Sequence, residues 1–356
     1  MSDFLVRRDD LRVCQIADAP QPGLGDGEVL LKIDRFGLTA NNITYAVFGD
    51  AMHYWDFFPA TQDGWGRVPT WGFADVVASR APAVAEGTRV YGYLPPSSYL
   101  VVQPEGADSE GFVDGSAHRA PLPSAYHRYL FTEPDPFHTP ETEALQMLLR
   151  PLFYTSFLID DALDNEGHTA GGPILISSAS SKTSLAAAFL LSQRPGVETV
   201  GLTSEHNREF VEELGIYSRT VTYDQIASLA PQAAMFVDVA GDAEVRLAVH
   251  SHCGDGLAAS MVVGATHWEA MTASAAGLPG PTPKFFFAPD RVTKRGGDWG
   301  RAGLNERVAA AWGPFCAWAG TWLQTIEGQG FDAVRDAYLA VLDGQVEPAR
   351  AHVLTV

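Results

Sequence analysis

Residues 177–184 read Ser177-Ser178-Ala179-Ser180-Ser181-Lys182-Thr183-Ser184, between the apolar run Pro173-Ile174-Leu175-Ile176 and an Ala/Leu-rich stretch that reaches Ser192. A strand that turns into a helix through such a loop offers helix N–H groups, and the positive end of the helix dipole, to an anion. The serine hydroxyls donate to phosphate oxygens and Lys182 adds charge. The Lys-Thr pair also resembles the tail of a P-loop, but no G-x-x-x-x-G precedes it, so that match is discarded. A second concentration of reactive groups lies in Asn41-Asn42-Ile43-Thr44-Tyr45 and His53-Tyr54-Trp55-Asp56-Phe57-Phe58-Pro59. A phenol has a pKa of about 10, so Tyr54 and Tyr45 are protonated at neutral pH and able to donate. Aromatic packing beneath a long loop explains the same residues equally well. In Gly264-Ala265-Thr266-His267-Trp268, His267 suits acid/base work or a substrate contact, with a hydrogen-bonded structural histidine as the competing reading.

The elements that must position these groups follow from periodicity. Short strands are expected at 27–34, 73–79, 88–93 and 98–103, punctuated by Gly and Pro, which suggests a barrel-like β-rich part. The aromatic stretch 40–70 has few regular signals and reads as a long structured loop. Helical spacing begins at Glu143 and resumes after Pro151. Strands at 173–177, 199–203, 235–239 and 257–263 then alternate with helices at 183–192 and 207–214, the pattern of a parallel sheet built from βαβ units. A Pro/Gly-rich run (277–283), a basic cluster (291–301), helical stretches at 305–327 and 331–342 and a strand at 351–356 follow. One nucleotide-type domain, residues 141–300, is therefore flanked by two pieces of a second, β-rich domain, residues 1–140 and 301–356.

Composition narrows the function. With 24 Lys+Arg against 43 Asp+Glu, the net charge of −19 repels nucleic acid and anionic lipid. No window reaches the roughly eighteen apolar residues of a membrane span, and MSDFLVRRDD lacks signal-peptide character, so the expected location is cytoplasmic. Cys14, Cys253 and Cys316 are far apart and include no CxxC pair, and the 10 histidines are scattered. No metal site is expected.

Several segments together resemble the medium-chain dehydrogenase/reductase superfamily, particularly its quinone-oxidoreductase-like branch. They are Gly27-Glu28-Val29-Leu30-Leu31-Lys32 with Gly37-Leu38-Thr39-Ala40-Asn41-Asn42, Pro69 to Val77, Gly87-Thr88-Arg89-Val90-Tyr91-Gly92, Val237-Asp238-Val239-Ala240-Gly241 and Tyr338 to Val356. The resemblance implies an α/β chain with a Rossmann-like parallel-sheet domain and a β-rich GroES-like barrel domain, the latter being the substrate domain. It also implies a homodimer formed through the nucleotide domain, and it is closest to an uncharacterised bacterial branch. Two departures stand out. Phe73 and Ala74 occupy the places of the His and Glu of zinc members, and Asn41 or Asn42 that of the usual Cys or Asp, which implies a zinc-independent protein. The glycines of the family's phosphate loop are replaced by Ser178, Ser180, Ser181 and Lys182, whose Cβ atoms narrow the space glycine leaves.

Three readings of that loop stay open: a dinucleotide in an altered register, another phosphate-bearing ligand, or a helix cap. With a dinucleotide, the cofactor-binding residues are Ser178, Ser180, Ser181, Lys182, Thr183, Thr203, Ser204, Arg208, Asp238 and Gly264. Thr203 and Ser204 end the second strand without an acid and Arg208 follows within a turn, which favours NADP (NADPH) over NAD. Glu205 runs against this choice. Tyr54 stands near the tyrosine acid of related enoyl reductases; Asn42, Tyr45 and His267 are the other catalytic candidates. The expected activity is an NADP(H)-dependent oxidoreductase acting on a carbonyl, enone or quinone-like small molecule, apolar or aromatic in character. The alternatives are a cofactor-independent lyase or hydrolase on the same fold, and a non-catalytic ligand-binding protein.

Overall fold

Apolar alternation and glycine turns build the first ten strands, and the computed structural model describes residues 1–20, 22–230, 233–263 and 277–356. The strands are β1 (Ser2–Arg7), β2 (Cys14–Asp18), β3 (Val29–Leu38), β4 (Trp65–Gly66), β5 (Thr70–Ser79), β6 (Arg89–Leu94), β7 (Tyr99–Val102), β8 (Pro104–Glu105), β9 (Gly111–Asp114) and β10 (Arg128–Phe131). Six more follow as β11 (Ile174–Ile176), β12 (Thr199–Thr203), β13 (Arg219–Thr222), β14 (Ala234–Asp238), β15 (Leu257–Val263) and β16 (Lys284–Phe286), and then β17 (Gln324–Gln329) and β18 (Arg350–Thr355). The chain divides into two units, Met1–Leu148 with Leu323–Val356, and Leu149–Trp322.

In the first unit a nine-stranded sheet runs β17-β18-β3-β5-β6-β10-β9-β8, with β7 also on β3, beside a three-stranded sheet β2-β1-β4. Strand β3 is the hinge of this arrangement: Val29–Lys32 pair with β7, Arg35–Leu38 with β18, and β5 lies along its other edge. Its Val29, Leu31, Ile33 and Phe36 are fully buried in a core shared with Val90, Phe112 and Tyr129.

The second unit is a six-stranded parallel sheet of order β13-β12-β11-β14-β15-β16. The chain steps outward from β11 through β12 to β13, then returns to β14 on the other side. The neighbours β11 and β14 therefore mark the switch point, outside whose carboxyl ends open α/β sheets bind ligands. Ile174, Ile176, Phe236 and Val237 are fully buried, as the continuous apolar runs of a two-sided parallel sheet require.

Four expectations are corrected. Residues 40–47 form helix α1 (Ala40–Val47) inside the stretch expected to be loop. Its start is secured by a capping box in which Thr39 and Asn42 satisfy each other's backbone N–H groups. Pro151 does not divide the following helix: α2 runs unbroken over Glu143–Asn165, because burial of Leu148, Leu149 and Phe153 outweighs one lost backbone bond. The basic cluster at 291–301 is helical, within a helix Ala288–Ala319 kinked at Gly300. Residues 324–327, expected in a helix, belong to β17, where pairing with β18 prevails over a weak helical pattern.

Candidate functional site

The loop after β11 leaves the sheet at the switch point and enters helix α3 (Lys182–Ser192). Ser178 has φ +50°, the left-handed region in which a glycine sits without cost. Its neighbours enforce this: the Ser178 N–H donates to Tyr223 Oη at 3.1 Å, and Tyr217 Oη donates to the Ala179 carbonyl at 2.9 Å. Ala179 N–H donates to the Leu202 carbonyl at 3.0 Å and Ser181 N–H to the Ser178 carbonyl at 2.8 Å. Ser181 caps α3 by accepting from Ser184 N–H at 3.2 Å, so the capping reading is realised at that residue. In the first turn, Thr183 carries an N–H for which an α-helix has no internal acceptor. Lys182 is half-buried, and the crowding of protein around its ammonium draws its pKa from 10.5 down to about 8.

Behind the loop, Ser177 ties the two central strands together. Its buried hydroxyl donates to Asp238 Oδ1 at 2.9 Å and accepts the N–H groups of Val239 and Ala240, each at 2.9 Å. Asp238 Oδ1 also accepts Gly241 N–H at 3.0 Å, and Oδ2 accepts Arg246 Nε from α5 (Ala243–Cys253) at 2.8 Å. At the tip of β12, Thr203 is buried, while Asn207 Nδ2 donates to Ser180 Oγ at 3.0 Å. Arg208, the first residue of α4 (Arg208–Glu213) and 40% exposed, donates to Glu212 at 2.8 Å and stands 3.9 Å from Glu205.

The first unit holds a separate cluster of phenols. Tyr45 from α1, Tyr54 from the 3₁₀ turn Tyr54–Phe57, Tyr93 from β6 and Tyr126 from the turn Ser124–Tyr126 pack with Trp71, Phe57 and Phe58. Ring centroids stand 4.7 Å apart for Tyr45 and Tyr54, and 4.8 Å for Tyr93 and Tyr126. Tyr45 Oη accepts Asn41 Nδ2 at 2.9 Å and Trp71 Nε1 at 3.4 Å, and Tyr54 Oη lies 3.4 Å from Tyr126 Oη. Burial pushes every one of these phenols up, Tyr45 to about 12, so all four are neutral donors in the physiological range. Tyr54, Tyr126 and Trp71 keep part of their surface exposed, whereas Tyr45 and Tyr93 are buried beneath them.

Residues 36–347 match a family model described as "Protein of unknown function (DUF2855)". The chain belongs to this family. Its fold is that of the medium-chain dehydrogenase/reductase proteins, a Rossmann-like domain with a GroES-like one. CurA from Vibrio vulnificus in complex with NADPH is 13% identical with a TM-score of 0.63, over 100% of this chain and 99% of that one. A quinone oxidoreductase from Coxiella burnetii is 14% identical with a TM-score of 0.60, over 100% and 99%. The yhdH oxidoreductase from Salmonella enterica in complex with NADP is 16% identical with a TM-score of 0.57, over the whole of both chains. No curated protein matches the sequence.

In this DUF2855 chain the structure gathers Ser178, Ser180, Ser181, Lys182, Thr183 and Asp238 around the switch point and Tyr45 with Tyr54 in the phenol cluster. It leaves Arg208 engaged with carboxylates on an outer turn. The amide of Asn42 is committed to the backbone, accepting from Thr39 N–H at 2.8 Å and donating to the Pro69 carbonyl at 2.9 Å. Ser204 begins the turn Glu205–Asn207. Gly264 and His267 lie outside the described residues. Among the described residues no three His, Cys, Asp or Glu side chains come together as a metal site requires, and no helix is long and apolar enough to cross a membrane. Lys294 and Arg295 are held by Asp298, and Arg295 also by Asp161, which accounts for that basic cluster as local charge balance. Sequence reading missed Tyr93, Tyr126, Tyr223, Asn207 and Arg246. The position of Arg246 on α5, just after Asp238, was the one usable signal.

Proposed function

We propose that this chain is a zinc-independent, NADP(H)-dependent oxidoreductase acting on a carbonyl, enone or quinone-like small molecule. The observation that carries this reading is the serine loop at the switch point, with Ser178 held in a glycine-like conformation and Lys182 at the head of α3. The residues fit a pyrophosphate: Thr183 N–H, the Ser180 hydroxyl and the Lys182 ammonium are the donors, and Ser177 with Asp238 fixes the floor. The likeness in fold to proteins solved with NADPH and NADP supports the same choice of cofactor. When bound, NADPH supplies a hydride to the substrate carbon. Tyr54 then holds the proton for the substrate oxygen, and the aromatic faces of Trp71 and Tyr126 favour a planar, apolar substrate. Arg208 serves the 2′-phosphate by leaving Glu205 and Glu212.

Calorimetric titration with NADPH and NADH tests the reading. NADPH binding is expected to saturate and to weaken roughly tenfold in Lys182→Ala, while Arg208→Ala weakens NADPH and spares NADH. A second reading, proton transfer without a cofactor, draws on the N–H groups of Ser178, Ala179 and Ser181, which are already used inside the protein. Absence of binding by either nucleotide to folded protein would decide for it.

A further inference from the structure

We infer that Tyr217 and Tyr223 are positioning residues of the serine loop, clasping it from the two faces of the parallel sheet and so holding Ser178 in the turn that a glycine would take unaided. The inference deepens the proposed function and rests on it for the ligand the loop receives. The clasp itself is read from hydrogen bonds to the backbone, whose direction is fixed.

A backbone N–H only donates and a backbone carbonyl only accepts. The Ser178 N–H therefore gives its hydrogen to Tyr223 Oη at 3.1 Å, and the Ala179 carbonyl takes the hydrogen of Tyr217 Oη at 2.9 Å. These two bonds grip consecutive residues from opposite sides. Along β11 the side chains alternate, Ile174 and Ile176 entering one core and Leu175 the other. Tyr217 belongs to the first core, with Ala179 and Leu185, whereas Tyr223 packs against the second, with Leu202 and Ile226. The edge strand β13 lies between them in sequence, with Tyr217 before its start and Tyr223 directly after its end. Gly201 on β12 leaves the space this needs, since a Cβ there would lie 2.9 Å from both Ala179 Cβ and Tyr217 Cγ. Burial raises both phenols above their ordinary range, so Tyr217 keeps the hydrogen it donates.

What the clasp holds is Ser178 at φ +50°, a conformation that glycine enters freely and a residue with a Cβ enters at a penalty. The turn closes where the Ser181 N–H reaches back to the Ser178 carbonyl at 2.8 Å, and Ser181 then caps α3. The Ser180 hydroxyl and the Thr183 N–H, donors offered to a phosphate, thus stand where the Ser178 turn puts them. Where a glycine-rich loop takes such a turn at no cost, two hydrogen bonds hold it here. Without them Ser178 returns to an ordinary φ, and the apparent affinity falls with the fraction of loops left competent.

The test has one part without nucleotide and one with it. In full-length protein labelled at serine, NMR reads the φ-sensitive backbone couplings of Ser178. The wild type is expected to give the left-handed value, and Tyr223→Phe and Tyr217→Phe each to lose it. In calorimetric titration Tyr223→Phe should weaken NADPH binding about tenfold, and at saturating NADPH it should leave kcat within about threefold. Adding Ser178→Gly should return the affinity of Tyr223→Phe to within about threefold of the wild type, because glycine holds the turn without the clasp. Tyr223 is only partly buried, so its variant supplies the answer if Tyr217→Phe fails to fold. A Ser178 φ that stays positive in either folded variant overturns the two-sided clasp. A loss of affinity that glycine leaves unrepaired overturns it too, making Tyr223 a direct contact of the ligand. If φ changes as expected but the wild type binds neither NADPH nor NADH, the clasp stands and the oxidoreductase reading falls.

Discussion

Asp238 and Arg246 form an ion pair of 2.8 Å, with side chains 0% and 4% exposed, directly beneath the loop at the sheet's switch point. The pair lies under the switch point, outside which open α/β sheets bind their ligands. It joins the end of β14 to α5, and through Asp238 Oδ1 it reaches Ser177 on the neighbouring strand.

Breaking this pair leaves a buried charge alone. Asp238→Leu and Arg246→Met should each lower unfolding free energy by about 3–5 kcal/mol. The double variant should lose less than either single one, measured by urea denaturation. Equal and additive losses would mean that the two charges do not depend on each other.

Lys182 makes stability depend on pH in a known direction. Its pKa falls from 10.5 to about 8 on folding, so between those values the unfolded chain binds more protons and stability rises with pH. Below about 8 the full penalty applies. Lys182→Met should therefore be more stable than the wild type at pH 7, by at most about 3 kcal/mol, with the gap closing by pH 10.5. Phosphate bound beside Lys182 would restore its proton, so NADPH titrations near pH 8 in buffers of different ionisation enthalpy should show proton uptake.

Ser178 tests the loop's conformation. Ser178→Gly relieves the left-handed φ but loosens the unfolded chain, and should shift stability by less than about 1 kcal/mol. Ser178→Val should cost about 2 kcal/mol, read from the urea midpoint. A valine tolerated without loss would show that the loop relaxes to an ordinary φ.

Tyr54→Phe should keep NADPH binding and lower kcat for carbonyl reduction by about a hundredfold, measured by NADPH absorbance. A variant with wild-type kcat would remove Tyr54 from the chemistry and return the cluster to packing.

Sequence reading reached the serine loop because its flanks announce themselves: the apolar run before Ser177 and the Ala/Leu-rich stretch after Lys182 leave little choice but strand, loop and helix. It reached Tyr54 and Tyr45 by residue type. It could not reach Tyr93 and Tyr126, which meet those tyrosines only because β6 and a distant turn fold onto the same face. Asn42 illustrates the opposite error. Its type suggested chemistry, while the three-residue spacing from Thr39 pointed to a helix start, and the structure spends its amide there. Arg208 likewise needed knowledge of Glu205 and Glu212 on adjacent turns, a helical relationship visible in the spacing but outweighed by the attraction of a phosphate contact.

Strand β3 is completed on one side by β18, from the opposite end of the sequence, through His352–Leu38, Val353–Gly37, Leu354–Phe36 and Thr355–Arg35. During synthesis β3 is made early and its neighbour late, while the whole parallel-sheet unit, Leu149–Trp322, is finished in between. The buried edge of Phe36 and Leu38 waits without its partner strand through most of translation, which makes it the surface a nascent-chain chaperone would have most reason to cover.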